Sequence, residues 1–81
     1  MILSANTPVN TGYTGTQQPI IQNLGPGNVY VGVSSANLAT EGLYLPAGAV
    51  YEFPAVVQDG PGAIWIQSDA GSTDVRIINV G

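Results

Sequence analysis

The chain has 81 residues, of which only 7% are charged, against roughly 25% in an average soluble domain. It contains neither cysteine nor histidine, which excludes a disulfide framework, a thiolate zinc site and the catalytic arrangements that need either residue. A net charge of -4 with Arg76 as the single base argues against binding to nucleic acid or to an anionic membrane surface. Because a domain of this size has a marginal core, association with other subunits is the remaining source of stability.

Residues 1–18 differ in composition from the rest of the chain. They are rich in Thr, Gly, Asn and Gln, and their few apolar residues show no clear period. We expect either an extended N-terminal arm, which could add a strand to a partner, or a loosely packed first strand of the same domain. We expect no signal peptide and no membrane span, because the apolar runs are too short for either.

From residue 19 onward, short β-branched and aromatic segments alternate with turns that contain Gly and Pro. The predicted strands are 20–24, 28–33, 43–45, 49–53, 55–58, 63–67 and 73–80. A polar loop is predicted over 34–42, and 11 Gly and 6 Pro argue against any long helix. This spacing predicts an all-β domain over 19–81, a small antiparallel β-sandwich or barrel of about six to eight strands.

Alternation along the strand at 28–33 predicts which of its side chains enter the core. Val29, Val31 and Val33 share one face of the strand, and Tyr30 lies on the other. We expect Val29 and Val31 to contribute to the core.

One segment of the chain is echoed by another. Residues 20–31 and 56–66 both have a β-branched pair, Gln, Asn or Asp, Gly-Pro-Gly, and then an aliphatic-aromatic-aliphatic run. We interpret the echo as two similar hairpins whose aliphatic residues share one core, with Tyr30 and Trp65 in equivalent positions on the outside. The alternative is coincidence in a chain rich in Gly and in β-formers.

Little catalytic chemistry is available to this composition. With no lysine either, a carboxylate pair in a cleft is the main arrangement left, and Glu41 and Glu52 are its candidates. Oxygen ligands lie close together at 69–74, but this segment lacks the EF-hand pattern and is typical of a turn. We therefore predict no enzymatic activity, no metal and no cofactor.

The candidates for an interaction surface are Tyr13, Tyr30, Trp65 and Arg76. Tyr and Trp join an apolar ring to a polar group, so they can anchor a protein partner or stack on a sugar. Arg76 either pairs with Asp74, two residues away on the same strand face, or reaches an acid of a neighbouring subunit and fixes the register of an assembly. Tyr51 and Phe53 are expected in the core instead.

A series of motifs runs through residues 19–81 in a fixed order. They are Ile-Gln-Asn before a turn, Val-Tyr-Val-Gly, Leu-Pro-Ala-Gly, Ile-Trp-Ile and Asp-Val-Arg-Ile, at 20–25, 29–32, 45–48, 64–66 and 73–77. This progression resembles small virion proteins of tailed bacteriophages. The chain departs from them at 17–19, where Gln-Gln-Pro stands in place of the basic residues that often precede the first strand.

The resemblance implies a compact β-fold that binds a virion surface. We therefore expect a capsid decoration subunit, made in the host cytoplasm and located on the capsid surface, that docks on and stabilises a phage head. Its expected partners are the major capsid protein and copies of itself, with a trimer as one arrangement. The alternative is a carbohydrate- or receptor-binding module of a phage tail or surface appendage, which would present Tyr30, Trp65 and neighbouring amides.

Overall fold

Two four-stranded antiparallel sheets pack face to face in the computed structural model, which describes residues 1–14, 17–53 and 62–79. The strands are β1 Ile2–Leu3, β2 Val9–Asn10, β3 Pro19–Gly25, β4 Val29–Gly32, β5 Leu43–Leu45, β6 Val50–Glu52, β7 Trp65–Ser68 and β8 Thr73–Asn79. One helical turn, α1, spans Leu38–Glu41. The prediction of a small all-β sandwich is confirmed.

The strand order follows a simple pairing rule. Sheet A has the order β1-β8-β3-β6 and sheet B the order β2-β7-β4-β5. Strand one therefore pairs with eight, two with seven, three with six and four with five, as in one long two-stranded ribbon. Winding that ribbon into two layers adds the β3·β8 and β4·β7 pairs and gives the eight-stranded jelly roll.

The core is an aliphatic layer between the sheets, supplied mainly by alternate strand positions. Its buried members are Leu3, Ile21, Val29, Val31, Leu45, Ile64, Ile66 and Val75. The predicted sharing of one core by β4 and the segment around β7 is thus confirmed. Tyr51 and Phe53 pack against this layer, half-buried, with ring centroids 4.9 Å apart and ring planes at 83°, which confirms their expected place.

Val33, which alternation places on the same strand face as Val29 and Val31, lies outside the core. Strand β4 ends at Gly32, and the Val33 side chain is 63% exposed. Leu38, from the helical turn inside the predicted polar loop, is buried beside the end of β4. A Cβ atom at Gly32 would lie 2.7 Å from Leu38 Cδ2, so the absence of a side chain at residue 32 admits the leucine.

The turn at 25–27 does not close a hairpin. It connects β3 in sheet A to β4 in sheet B. The turn at 69–72 connects β7 in sheet B back to β8 in sheet A, where β8 pairs with β3. The hairpin interpretation is wrong for 20–31, because alternation specifies the buried face of a strand but not the strand beside it. The predicted strand 55–58 lies outside the described residues, and so do the first two residues of the second Gly-Pro-Gly, at 60–61.

Asn23 fastens the first of these crossings from inside. Its side chain is fully buried, and its Nδ2 donates to the carbonyl oxygens of Gly27 and Leu45, each at 2.9 Å. Its Oδ1 accepts the N–H of Gly25 at 2.8 Å. A buried amide with every bond satisfied stabilises the crossing, whereas an unsatisfied one would cost about 1–3 kcal/mol per group.

Thr73 links the two crossings to each other. Its Oγ1 accepts the N–H of Gly27 at 3.1 Å and the hydroxyl of Ser68 at 2.7 Å, and donates to the Ala70 carbonyl at 2.8 Å. A Cβ atom at Gly27 would lie 2.6 Å from this hydroxyl oxygen. Only glycine therefore allows the backbone to approach the cluster so closely.

The described part of the N-terminal segment forms two edge strands of the sandwich. β1 pairs with β8 in sheet A, and β2 pairs with β7 in sheet B. Leu3 is 1% exposed, and the Thr11 hydroxyl donates to the Ile64 carbonyl at 2.8 Å. Of the two alternatives for residues 1–18, pairing within the same domain, and not an extended arm, agrees with β1 and β2.

Asp69 and Asn28 fasten the same end of the sandwich at its surface. The Asp69 carboxylate accepts the backbone N–H of Asn28 at 2.8 Å and its Nδ2 at 2.9 Å. These two bonds, chiefly the backbone one, lower the pKa of the Asp69 carboxyl below its ordinary value of 3.8. The start of β4 is thereby held to the end of β7.

Val31→Ala should destabilise the protein by about 2 kcal/mol, because it removes two methyl groups from a closed core. Val33→Ala makes the same chemical change two residues away on an exposed side chain and should stay within about 0.5 kcal/mol of the parent. Urea unfolding followed by circular dichroism measures both. Equal losses from the two variants would contradict the assignment of the core.

Asp69→Asn should reduce stability at neutral pH but not in acid. A depressed folded-state pKa means that the stabilisation is fully present above pH 3.8 and is lost as the pH falls through the folded-state value. Urea midpoints of parent and variant, measured from neutral pH to about pH 2, should therefore converge. Asn28→Ala removes the side-chain donor but keeps the backbone N–H donor, so its pH-dependent loss of stability should be smaller than that of Asp69→Asn. A gap between parent and Asp69→Asn that is constant with pH would refute this role.

Candidate interaction surfaces

The outer face of sheet A exposes aliphatic side chains. Its members are Ile2, Ile20, Gln22, Leu24, Val50, Glu52, Asp74, Arg76 and Ile78. Ile2 is 66% exposed, Ile78 61%, Val50 52% and Leu24 46%. Exposed single apolar residues are ordinary, but several on one sheet face make that face a candidate interaction surface.

The sequence contains an indication that this outer face is partly apolar, which a simple alternation of polar and apolar residues does not show. Ile20-Ile21 and Ile77-Ile78 are consecutive apolar pairs within strands. Since neighbouring residues of a strand point to opposite faces, one member of each pair must lie outside. Ile21 is buried and Ile20 half-buried on the outer face, and Ile78 is the exposed member of its pair.

The charges on this face are few and unevenly paired. Arg76 Nη2 lies 3.3 Å from Asp74 Oδ2, which confirms the predicted pair within the subunit. The other oxygen, Oδ1, lies 3.7 Å from the Met1 ammonium. The Glu52 carboxylate is exposed, and among the described residues it has no ion pair and no hydrogen bond. The face thus carries one acid shared by two cations and one unpaired acid.

The outer face of sheet B is aromatic and uncharged. Its members are Asn10, Tyr30, Gly32, Tyr44, Trp65 and Gln67. Tyr30 and Tyr44 are directly opposite on β4 and β5, with ring centroids 5.7 Å apart and ring planes at 45°. Trp65 lies opposite Gly32. Tyr44 is 59% exposed, so one ring of the pair is open to solvent.

The four predicted interface residues divide between two places. Tyr30 and Trp65 share the outer face of sheet B, in the equivalent outward positions that the echo predicted. Tyr13 and Arg76 instead line one hollow of about 370 Å³, together with Val75 and Ile77. The four do not form one continuous site, and Tyr44, which sequence reasoning did not select, belongs with the first pair.

An apolar cleft of about 330 Å³ lies between α1 and the ends of β4 and β5. Val31, Leu38, Leu43 and Phe53 supply its apolar lining, and Glu41 is the acidic residue among its lining side chains. Its volume is near the lower end of the range for small-molecule pockets, roughly 300–1,000 Å³.

The acidic residues do not converge within residues 1–14, 17–53 and 62–79. Glu41 lines the cleft beside α1, whereas Glu52 points from the outer face of sheet A. Asp69 is engaged with Asn28, and Asp74 with Arg76 and the Met1 ammonium. In these ranges no three His, Cys, Asp or Glu side chains are close enough to hold a metal ion.

No helix in the described parts of the chain has the length and apolar character needed to cross a bilayer. No protein-family model, no curated protein and no solved structure matches this chain. Its function is therefore inferred from the surfaces described above and from the resemblance of its strand and turn motifs.

Proposed function

We propose that the protein is a structural subunit of a larger assembly, a decoration protein that docks on a tailed-phage head and stabilises it. The observation that carries the proposal is the outer face of sheet A, where exposed aliphatic side chains occur in a chain with very little charge. The assignment to phage is supported by the motif resemblance.

The energetics favour association through this face. Each ~100 Å² of apolar surface removed from water contributes roughly 2.5 kcal/mol before the costs of association. On a symmetric shell the contribution is repeated at every copy, so a small subunit can stabilise a large particle. In the assembled shell the face would be covered by capsid protein or by a neighbouring copy.

The fold agrees with this proposal at the level of analogy. Jelly rolls form many viral capsid domains, and they also form lectin domains. Because one fold hosts many functions, the strand order supports both kinds of binding protein, and the surface chemistry has to choose between them.

Capsids of the encoding phage, purified without this subunit, should bind the added protein and melt at a higher temperature. Ile78→Asp should weaken co-sedimentation at least about tenfold, because a desolvated carboxylate would face the covering surface. Val33→Asp is the matched control, since Val33 is 63% exposed but lies outside the outer face of sheet A. Full binding by Ile78→Asp, or no binding by the parent, would argue against this role.

A second candidate function is carbohydrate binding by the outer face of sheet B. Aromatic rings stack on the apolar faces of sugars, and amides such as Asn10 and Gln67 bond to hydroxyl groups. The face is uncharged, as suits a neutral polyhydroxylated ligand, and the exposed Tyr44 ring is its most accessible element.

If this second function holds, purified bacterial cell walls should retain the free protein, and Tyr44→Ala should lower retention about tenfold, because it removes a stacking surface. Tyr44→Phe should keep most of it, since the ring remains. Leu43→Ala alters the preceding, 52% exposed residue of the same strand and should have no effect. Pull-down and Trp65 fluorescence report the binding. Absence of retention by the parent would eliminate the candidate.

A further inference from the structure

We infer that the outer face of sheet A is a self-association surface, on which a second copy of this chain packs face to face about a two-fold axis. The inference rests on the proposed function in that both bury this face. It goes further by identifying the body that covers the face.

The first argument is the state of the charges. The Arg76 side chain is 65% exposed, and only its Nη2 contacts Asp74, at 3.3 Å. A guanidinium has five N–H donors in a fixed fork, so Arg76 can bind a second carboxylate without releasing the first. Glu52 is the carboxylate on the same face that has no partner among the described residues.

These two groups do not contact each other within one chain. β8 and β6 lie on opposite sides of β3, with Arg76 opposite Gln22 and Glu52 opposite Ile20. Two strand spacings and a two-residue offset place their Cα atoms on the order of 12 Å apart. The only base in the chain and the unpaired acid therefore stand on either side of the centre of the face.

A two-fold axis lying between two stacked copies exchanges these positions. If the axis passes over β3 between Ile20 and Gln22, Arg76 of each copy faces Glu52 of the other, and the contact forms twice. The exposed aliphatic residues of the same face, Val50 and Ile78 among them, then pack between the charge pairs. A single surface that carries both partners of a charge pair on opposite sides of its centre is self-complementary.

The size of the face suits a stable dimer. The molecule measures 34 × 23 × 17 Å, and two stacked sheets account for the short dimension. The broad side of the molecule as a whole has the extent of the roughly 800 Å² that each partner buries in an interface of standard size. Homodimer interfaces are also more apolar than other protein–protein interfaces, which agrees with the aliphatic residues found here.

Sedimentation velocity and light scattering of the full chain test the inference directly. The parent should be a dimer, and Arg76→Glu or Glu52→Arg alone should weaken it about tenfold or more, because like charges then meet. The double exchange should recover dimerisation to within about fivefold of the parent. Glu41→Arg makes the same charge change beside α1 and should leave the dimer intact. Circular dichroism shows whether each variant is folded. If a charge-reversal variant is not folded, Glu52→Gln replaces it and should weaken the dimer to a smaller extent.

The outcomes separate this inference from the proposed function. A parent that is monomeric or trimeric, or a folded double exchange that does not recover, overturns the two-fold pairing. A monomer that still co-sediments with capsids leaves decoration standing and refutes only the dimer. A dimer that ignores capsids supports the self-association surface and refutes decoration.

Discussion

The fold depends on one buried polar cluster at the end of the sandwich where the chain crosses between the sheets from β3 to β4, from β5 to β6 and from β7 to β8. Asn23 holds the crossing from β3 to β4, and the Thr73 hydroxyl joins that crossing to the one from β7 to β8. Sheet pairing alone would leave several backbone groups at this corner buried and without partners, which is costly. With the side chains in place, no buried side-chain nitrogen or oxygen of the described residues lacks a hydrogen bond. The rest of the ribbon can then wind around a purely aliphatic core.

The two outer faces differ in chemistry, and this difference organises the functional conclusions. Sheet A presents aliphatic side chains with one base and two acids, which suits burial against protein. Sheet B presents three aromatic rings and two amides without charge, which suits a flat polar ligand or a looser contact. A chain with so few charges keeps little of its surface strongly hydrated. Under the proposed functions, this low charge favours association, and the chemistry of each outer face determines what binds to it.

The sequence predicted what local patterns determine. Alternation identified the core residues of β4 and the outward Tyr30, and turn residues marked the ends of most strands. It could not assign strands to layers, because pairings such as β1 with β8 join residues seventy or more positions apart. The sequence did not predict the burial of Leu38 or the exposure of Leu24, because both depend on tertiary packing. The first is buried only because Gly32 leaves space, and the second is exposed at a register shift between Asn23 and Gly25.

The ribbon-like pairing also sets the order in which the chain can fold. β4 and β5 are close in sequence, so this pair can form early at little cost in loop-closure entropy. Each later pair closes a longer loop, and β1 finds its place only once β8 has emerged from the ribosome. Until then the aliphatic edge of the unfinished sheet stays open to other chains. The outer face of sheet A, to which β8 contributes Arg76 and Ile78, is therefore complete only after β8 has paired with β3.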